Sequence, residues 1–585
     1  MASRRRSPRP RLLLALACLG VALAAADTYV VVLALPDMMA GVGLGIDQLQ
    51  RAAPIISGFL LGYVATLPLI GRLADLVDRG RVLRACLLLF VLGSVVTALA
   101  VDLPVLVAGR VLQGVGGGGL VPATLALVAD LWPPRRRGLP LGVVGAVQEM
   151  GSVLGPVLGA AVIAVADWRA IFWFGAVVGL ALAAALALAA ARSGAKPSRP
   201  APRPGSAHQR TPDQSTPDQR PPHPGAGPLH QVGRAVALLG IGCGLLALWA
   251  PRRLVMDLTL GTPFVPLGSS PSRLATPLGV AAAALLVGGL ALLAVTGGRW
   301  WWATVRRVDL PGALLLGGAL GALVLTFAAS DPAREVVGPP GWALLPVAVV
   351  SAAGYGWRHR RAADPLVPRG TLGRGGWRTL GASWCVGAAL VAVVVDVPVL
   401  ARLTLGGDEV RAAGTLLRFL VAVPVGALLG GLALRRLAAG RVTAVGLVLA
   451  AAALAVMGTW GSGSLEQGVA TLVLAAAGLG LGLTLAPLNE AALDAAPEHA
   501  HGTASSLVVV ARMTGMVVGL GLLTAVGLHA YYAAVAALPD RTDTRALVAA
   551  GIVQVQWVLR GGAIAALIGA GLGLTMPARV PRLDG

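Results

Sequence analysis

A carboxylate in the middle of an apolar segment is the first feature of this sequence that points to chemistry. The segment 142–160 is long and apolar enough to lie inside a membrane, yet it contains Glu149. A charge in such a segment is costly, so the carboxylate needs a partner, a bound ion or a proton. Arg512, in another long apolar segment, is its candidate partner.

The rise of a helix allows the depths of these two charges to be compared. Glu149 lies about twelve residues, roughly 18 Å, beyond Arg137, and Arg512 lies about ten residues, roughly 15 Å, inside its own segment. A carboxylate beside an arginine stays ionised, whereas one left alone in a dry site takes up a proton. The pair predicts a proton switch in which protonation of Glu149 releases Arg512. The alternative is a permanent ion pair that ties two halves of the chain together.

Two further pairs of opposite charges lie inside apolar segments. Asp27 and Arg110 have matched depths, because Asp27 lies roughly 24 Å from one membrane face and Arg110 roughly 9 Å from the other. Asp27 is therefore either a second protonation site beside Arg110 or an interfacial charge at a helix end. Asp396 and Arg418 form a candidate outer pair, for which we expect a structural role because both lie near the surface.

Three glycines follow Glu149 at a strict four-residue spacing. Gly151, Gly155 and Gly159 share one helix face, which predicts close packing against another backbone. Pro156 weakens one helical turn and predicts a bend or hinge. A segment with a packing face, a hinge and a titratable group is typical of a moving, proton-sensitive element.

Composition places these residues in a membrane protein. The chain has 585 residues, of which 56% are hydrophobic and 12% charged, and its mean hydropathy is +0.79. A soluble domain would have about a quarter of charged residues. The net charge of +21 does not indicate nucleic acid, because the arginines gather in alternate loops, as the positive-inside rule predicts for cytoplasmic loops. We therefore expect a multi-pass protein of a bacterial inner membrane with both termini in the cytoplasm.

Sixteen apolar segments of roughly 18–25 residues, among them 468–490 and 502–527, predict an all-α polytopic membrane protein with about 16 transmembrane helices. A weak echo between 71–81 and 431–441 indicates repeated halves. The expected fold is two six-helix bundles plus central extra helices, as in transporters whose halves move around a central site. The predicted organisation is an N-terminal bundle at 11–191, a disordered Pro/Arg-rich cytoplasmic linker at 192–230, an extra helix pair at 231–297, a central helix pair at 298–376 and a C-terminal bundle at 377–576.

No enzyme or cofactor signature is legible in the sequence. It lacks a Gly-x-x-x-x-Gly-Lys-Ser/Thr phosphate loop, a Ser-His-Asp arrangement and a metal-binding spacing of His and Cys. We therefore expect no catalytic residue, no metal and no cofactor. If the protein uses energy, that energy should come from a proton gradient.

Several motifs resemble those of the major facilitator superfamily. The stretch from Gly71 to Asp75, followed by Arg79 and Arg81, is similar to the loop signature of that family, and 151–159 resembles its antiporter motif. The resemblance implies the two-bundle fold and a conformational latch made by Asp75, Arg79 and Arg81.

Other stretches are similar to the fourteen-helix drug:proton antiporter branch, and within it most similar to the triacylglycerol exporters of mycobacteria. The resemblance implies proton-driven export of triacylglycerol or similar lipids, beside a periplasmic lipid-carrying lipoprotein. It also implies that Asp27, Glu149 and Arg512 are important for transport. The resemblance to the branch is carried by 27–36, 167–172, 308–316 and 363–366, and that to the exporters by 148–156, 395–397 and 508–516. The stretch 110–114 resembles the fourth-helix motif of the superfamily as a whole.

The sequence thus predicts a proton-coupled secondary transporter that exports lipids or other hydrophobic compounds by alternating access, without nucleic acid and as a monomer. A multidrug efflux antiporter of the same fold is the first alternative. A non-transporting membrane scaffold is the second.

Overall fold

The computed structural model describes residues 10–45, 48–192, 228–255, 262–267, 272–296, 307–328, 337, 339–373, 375–405, 409–540 and 542–577. Most of the predicted linker 192–230 lies outside the described residues. The described part of the chain is helical, without a strand. Its long helices are α1 Pro10–Gly41, α2 Leu49–Leu76, α3 Arg79–Leu99, α4 Leu103–Leu131, α5 Gly138–Ile163, α6 Arg169–Arg192, α7 Pro228–Trp249, α8 Pro277–Thr296, α9 Leu310–Ala328, α10 Pro339–Arg361, α11 Gly376–Thr404, α12 Glu409–Ala433, α13 Ala439–Met457, α14 Gly468–Gly482, α15 Leu485–Ala495, α16 His501–Ala536 and α17 Thr544–Leu574.

The predicted all-α membrane fold is confirmed. A helix lies at each of the sixteen predicted spans. Among the described residues, 15 helices are long and apolar enough to cross a membrane by length and composition. The predicted span that falls outside this group is α10, which ends in the basic run Arg358–Arg361.

Glycines allow the helices of the N-terminal bundle, α1–α6, to approach one another closely. A Cβ atom at Gly116 of α4 would lie 2.5 Å from the backbone nitrogen of Phe90 on α3, and one at Gly118 would lie 2.6 Å from the carbonyl oxygen of Tyr63 on α2. Small residues at such crossings let backbones pack tightly where lipid supplies no hydrophobic driving force. The second, third and fourth helices therefore form a compact unit around α4.

The C-terminal bundle, α11–α17, is built in the same way. A Cβ at Gly446 of α13 would lie 2.6 Å from the carbonyl oxygen of Gly480 on α14, and one at Gly562 of α17 would lie 2.9 Å from the Cβ of Ala392 on α11. The first and last helices of this bundle, α11 and α17, pack along each other. This contact positions the carboxylate of Asp396 discussed below.

The two bundles meet at the end that carries the arginine-rich loops α2–α3, α4–α5 and α12–α13, which we call the basic end. A Cβ at Gly138 of α5 would lie 2.6 Å from the carbonyl oxygen of Gly431 on α12. A Cβ at Gly71 of α2 would likewise lie 2.6 Å from the carbonyl oxygen of Gly502 on α16. Two glycine-to-glycine crossings therefore bring the bundles together at the basic end.

Two additional helix pairs accompany the bundles. In the central pair, α9 packs against α10 and also against α2, where a Cβ at Gly317 would lie 3.0 Å from the carbonyl oxygen of Ala65. The extra pair, α7 and α8, belongs to a separate compact unit and packs on itself through Gly240, whose Cβ would lie 2.9 Å from the carbonyl oxygen of Ala282.

Two helices differ from their predicted form. The predicted span 468–490 is divided into α14 and α15 at Leu483 and Thr484. Pro487 explains this break, since it has no N–H to donate to the carbonyl group of Leu483 and its ring collides with that group. The helix α16 was expected to end near 527 but continues to Ala536.

Candidate functional site

Asp27 lies in a buried hydrogen-bonded network inside the N-terminal bundle. Arg110 on α4 donates from Nη1 to Asp27 Oδ2 at 2.5 Å, and Gln113 donates from Nε2 to Asp27 Oδ1 at 3.2 Å. The guanidinium of Arg110 also donates to Gln113 Oε1 at 2.9 Å and lies 4.6 Å from the ring centre of Phe59. Arg110 and Asp27 are 1% and 7% exposed. The hydrogen bonds of Arg110 and Gln113 therefore satisfy both oxygen atoms of this buried carboxylate.

Asp27 does not lie at a helix end. Helix α1 continues to Gly41, fourteen residues farther along the chain, so Asp27 is internal to the helix. Serine and threonine hydroxyls of α3 complete its network: Gln113 Nε2 donates to Ser94 Oγ at 2.8 Å, and Thr97 Oγ1 donates to Gln113 Oε1 at 3.3 Å.

Glu149 and Arg512 form an ion pair between the two bundles. Arg512 Nη1 on α16 donates to Glu149 Oε1 on α5 at 3.2 Å, and the two side chains are 8% and 13% exposed, respectively. Each residue lies eleven positions, roughly 17 Å, from the start of its helix at the basic end. The structure therefore brings together the two charges that the depth comparison paired.

Tyrosines surround this ion pair. Tyr29 of α1 and Tyr63 of α2 are close enough to interact electrostatically with both Glu149 and Arg512. The rings of Tyr63 and Phe59 are 6.0 Å apart, and Phe59 in turn contacts Arg110. Tyr63, Phe59 and Arg110 therefore form a row of contacts that ends at the network around Asp27.

Asp75 connects the bundles at the basic end. Its carboxylate, on α2, accepts from the backbone N–H of Gly502 at 2.6 Å and from the N–H and hydroxyl of Thr503 at 2.8 and 2.6 Å. These donors form the start of α16, where free N–H groups and the helix dipole favour an anion. The carboxylate of one bundle therefore caps a helix of the other.

The arginines predicted to share this latch have other positions. Arg79 forms an ion pair with Asp130 of α4 and donates to the carbonyl oxygen of Ala126, both within the N-terminal bundle. Arg81 is exposed, and its backbone N–H donates to Asp78 Oδ1 at 3.0 Å. Of the three predicted latch residues, Asp75 alone reaches across to the C-terminal bundle within the described part of the chain.

The glycine face of α5 packs against α1. A Cβ at Gly155 would lie 2.6 Å from the carbonyl oxygen of Ala26, and one at Gly159 would lie 3.3 Å from Val30 Cγ1; Gly151 meets Ala25. The helix runs through Pro156 without interruption. This packing holds Glu149 beside the helix that carries Asp27.

Burial along α5 shows where the bundles separate. Between Gly138 and Ala146 most positions are buried, whereas beyond Glu149 the buried positions are confined to Ser152 and the glycine face. Leu154, Val157 and Leu158 are exposed there. The first half of α5 is therefore enclosed by both bundles and the second half by one. Along α5 the two bundles are thus in contact at the basic end and apart toward the opposite end.

The predicted outer pair of Asp396 and Arg418 does not form. Arg418 is exposed on α12, beside the exposed Leu417 and Val421, and donates to Thr471 Oγ1 at 3.0 Å. Asp396 is buried on α11. The prediction was wrong because matched depth does not determine which way two side chains point around their helices.

Sequence reasoning also overlooked several contributors to the site. Gln113 follows Arg110 by three residues and therefore shares its helix face, a spacing that would have identified it. The partners of Asp75, Gly502 and Thr503, are backbone and hydroxyl donors at a helix start and leave no charge pattern to find.

Comparison with known proteins identifies the fold and the relatives of this chain. Residues 17–357 match the model of the Major Facilitator Superfamily. The chain is 35% identical to a triacylglyceride transporter of Mycolicibacterium hassiacum, over 88% of this chain and 78% of that protein. It is 34% identical to a triacylglyceride transporter of Mycobacterium tuberculosis, over 97% and 94%. Its fold is similar to that of the human organic anion transporter MFSD10, with a TM-score of 0.51 and 17% identity over 97% of this chain and all of that one.

Proposed function

Because this chain belongs to the Major Facilitator Superfamily, we propose that it is a proton-coupled exporter of triacylglycerol or similarly apolar lipids that works by alternating access. It is a membrane transporter rather than an enzyme, as its family and relatives are. The proton coupling, the cargo and the direction of transport are the parts of the proposal that require a test.

The observation that carries the proposal is the ion pair between Glu149 and Arg512. It joins the two bundles near mid-depth, in the region where the cleft begins to open. A proton that neutralises Glu149 removes the attraction and leaves Arg512 charged in a dry site, which is unfavourable. Protonation therefore destabilises the arrangement closed at the basic end relative to one in which Arg512 is hydrated.

This coupling gives a cycle with the correct sign for export. By the positive-inside rule the basic end faces the cytoplasm, so the described arrangement is open to the outside. Cargo leaves and a proton enters from outside; Glu149 releases Arg512, and the contacts of Asp75 and the glycine crossings at the basic end separate. Loss of the proton to the cytoplasm and entry of lipid then restore the ion pair and the outward-open state.

Asp27 supplies a second place where a proton acts in this proposal. Arg110 and Gln113 donate hydrogen bonds to its carboxylate in the outward-open arrangement. A rearrangement of α4 against α1 removes these donors and allows Asp27 to take up a proton. The contact of α5 glycines with α1 couples that event to the position of Glu149.

A lipid cargo is supported by the two mycobacterial relatives, which are named triacylglyceride transporters. It is also supported by the length of α16, whose 36 residues extend roughly 54 Å and exceed the roughly 30 Å hydrocarbon core of a membrane. The outer part of α16 exposes Leu522, Val526 and Tyr532 beyond the cleft. We propose that this projection guides lipid toward a periplasmic lipid-carrying lipoprotein.

Transport by purified protein in proteoliposomes under an imposed pH gradient tests the proposal. A fluorescent triacylglycerol and a cationic dye are compared for wild type, Glu149→Gln and the control Glu466→Gln, which changes an exposed acid in a loop. We expect gradient-dependent lipid movement in wild type and control, and its loss in Glu149→Gln.

The other possible outcomes of this experiment distinguish the alternative functions. Movement of the dye without the lipid would indicate a multidrug efflux antiporter, and movement of neither would favour a scaffold. Lipid transport by Glu149→Gln at the wild-type rate would contradict the proton switch while leaving lipid as the cargo.

A further inference from the structure

Asp396 is a carboxylate that neither the ion pair between the bundles nor the basic-end contacts employ. It lies on α11, the first helix of the C-terminal bundle, and is 4% exposed. It makes no hydrogen bond or ion pair with any residue that the structure describes. A carboxylate buried in this way is costly when it is ionised, because no donor compensates the loss of water.

The face of α11 that carries Asp396 packs against α17. Ala392 contacts Gly562 of α17, and Leu403 lies 3.0 Å from the Cβ position of Gly551. Asp396 is four residues after the first contact and seven residues before the second, so it lies on the same helix face. The part of α17 between these glycines contributes the buried apolar side chains Val555, Val558 and Leu559.

The polar residues of this part of α17 are engaged elsewhere. Gln556 donates to the carbonyl oxygen of Trp460 at 2.9 Å, and Arg560 donates to that of Gly458 at 3.0 Å. Both bonds direct these side chains to the end of α13. Neither residue compensates a charge on Asp396.

Other charged or titratable groups near α11 also leave Asp396 without a partner. Arg512 pairs with Glu149, and Arg418 binds Thr471. None of the remaining groups on α11 or on the helices packed against it bonds to Asp396 in the described structure: Arg378, Cys385, Arg402, Arg411, Glu490, Asp494, His529, Tyr531, Tyr532 and Arg545.

Comparison of the two bundles shows what Asp396 lacks. Asp27 lies roughly 26 Å along α1, the first helix of its bundle, and Asp396 lies roughly 30 Å along α11. The fourth helix of the N-terminal bundle supplies Arg110 to the carboxylate, whereas its counterpart, divided into α14 and α15, contains no arginine. The C-terminal bundle has thus a carboxylate at the corresponding depth without the arginine.

We propose that Asp396 is a further proton-carrying site, which holds a proton in the outward-open arrangement and releases it when α11 and α17 move apart. Its neighbours Val395 and Val399 are exposed, and in the proposed cycle the proton enters from the outer side. Release of the proton leaves a charged carboxylate that water must then hydrate. This requirement couples the release to the rearrangement of the C-terminal bundle. The inference rests on the proposed function only in assigning this proton to the transport cycle.

Infrared difference spectroscopy tests the protonated state without reference to transport. Purified wild type at neutral pH should show the carbonyl band of a protonated carboxylic acid that disappears in Asp396→Asn. The control Asp540→Asn should leave the band unchanged, since hydrogen bonds from Thr542 lower the pKa of that exposed carboxyl group. An identical acid band in wild type and Asp396→Asn would overturn the proposal.

The number of coupled protons tests the role in transport. Asp396→Asn should retain lipid exchange without a gradient, because asparagine resembles the neutral acid. Under a gradient of one pH unit its steady-state lipid ratio should be about tenfold lower than that of wild type, since one proton fewer supplies about 1.4 kcal/mol less. A wild-type ratio in Asp396→Asn together with loss of transport in Glu149→Gln would refute this site alone. Lipid transport by wild type that does not depend on the pH gradient would refute the proposed function.

Discussion

The two bundles place a carboxylate at nearly the same depth in corresponding helices and surround it differently. Asp27 of the N-terminal bundle is held by Arg110 and Gln113, so its charge is compensated within the bundle. Asp396 of the C-terminal bundle has no such donor among the described residues and lies on the face of α11 that packs against α17. The same residue type in the same fold can therefore store a negative charge in one half and a proton in the other.

The ion pair between the bundles lies closer to the basic end than either carboxylate. Glu149 belongs to the bundle whose other buried acid is compensated, and Arg512 belongs to the bundle whose buried acid is not. If Glu149 takes up a proton, the C-terminal bundle keeps an unpaired arginine. We infer that the C-terminal bundle is the half whose electrostatics change most during a cycle.

The largest expected effect comes from making the same substitution in both halves. Asp27→Asn leaves Arg110 charged, buried and without its ionic partner, which should lower the free energy of unfolding by about 3–5 kcal/mol. Asp396→Asn replaces a neutral acid by a neutral amide and should leave the thermal unfolding midpoint in detergent unchanged. Equal destabilisation by the two substitutions would contradict the proposed difference between Asp27 and Asp396.

A smaller effect is expected from the contact that holds the bundles together at the basic end. Asp75→Asn removes the charge that accepts three hydrogen bonds at the start of α16 and should favour opening by about 3 kcal/mol, roughly a hundredfold. Alkylation of Ser505→Cys, a buried position beside this contact, should accelerate accordingly. The matched control is Asp78→Asn, because Asp78 caps α3 within one bundle. Equal alkylation rates in both variants would contradict the latch.

Packing of α5 against α1 should show a still smaller effect. A Cβ at Gly151 overlaps Ala25 and lies 2.8 Å from the backbone nitrogen of Ala26, so Gly151→Ala should cost about 1–3 kcal/mol by forcing the helices apart. Gly414→Ala, on α12 where the space is open, should cost nothing comparable. Thermal unfolding of the two variants measures the difference, and no difference would mean that the glycine face is not tightly packed.

The smallest expected effect concerns Arg418. Because this side chain is exposed and bonds to Thr471, Arg418→Gln should change the free energy of unfolding by less than about 0.5 kcal/mol. It should also preserve the infrared acid band of Asp396. Loss of stability with a change in that band would mean that Arg418 and Asp396 interact after all.

The depth of a charged residue along its helix could be predicted from the sequence, whereas the direction in which its side chain projects from the helix could not. The fixed rise of a helix was sufficient to match Glu149 with Arg512, which the structure places 3.2 Å apart. The same reasoning paired Asp396 with Arg418 and was wrong, because Arg418 projects from the exposed face of α12. The charge of a residue and its depth along the helix do not determine which faces of two helices pack against each other.

Contacts made by backbone groups were the second feature that the sequence did not reveal. The carboxylate of Asp75 was recognisable as part of a loop signature, but its partners are N–H groups that any residue could supply. Likewise, α14 and α15 read as one apolar span, and the break between them follows from Pro487 and the carbonyl group of Leu483. Such features require the packed structure, since composition and periodicity do not distinguish them.

The distance between the outer ends of the bundles, measured against pH, tests the central claim most directly. Spin labels at the exposed Val165, two residues beyond the outer end of α5, and at the exposed Tyr532 in the outer part of α16 report that distance by pulsed electron resonance. In wild type we predict a shift toward shorter distances as the pH falls, because protonated Glu149 releases Arg512. Glu149→Gln should occupy the shorter-distance population at every pH. A pH response in Glu149→Gln identical to that of wild type would contradict the account.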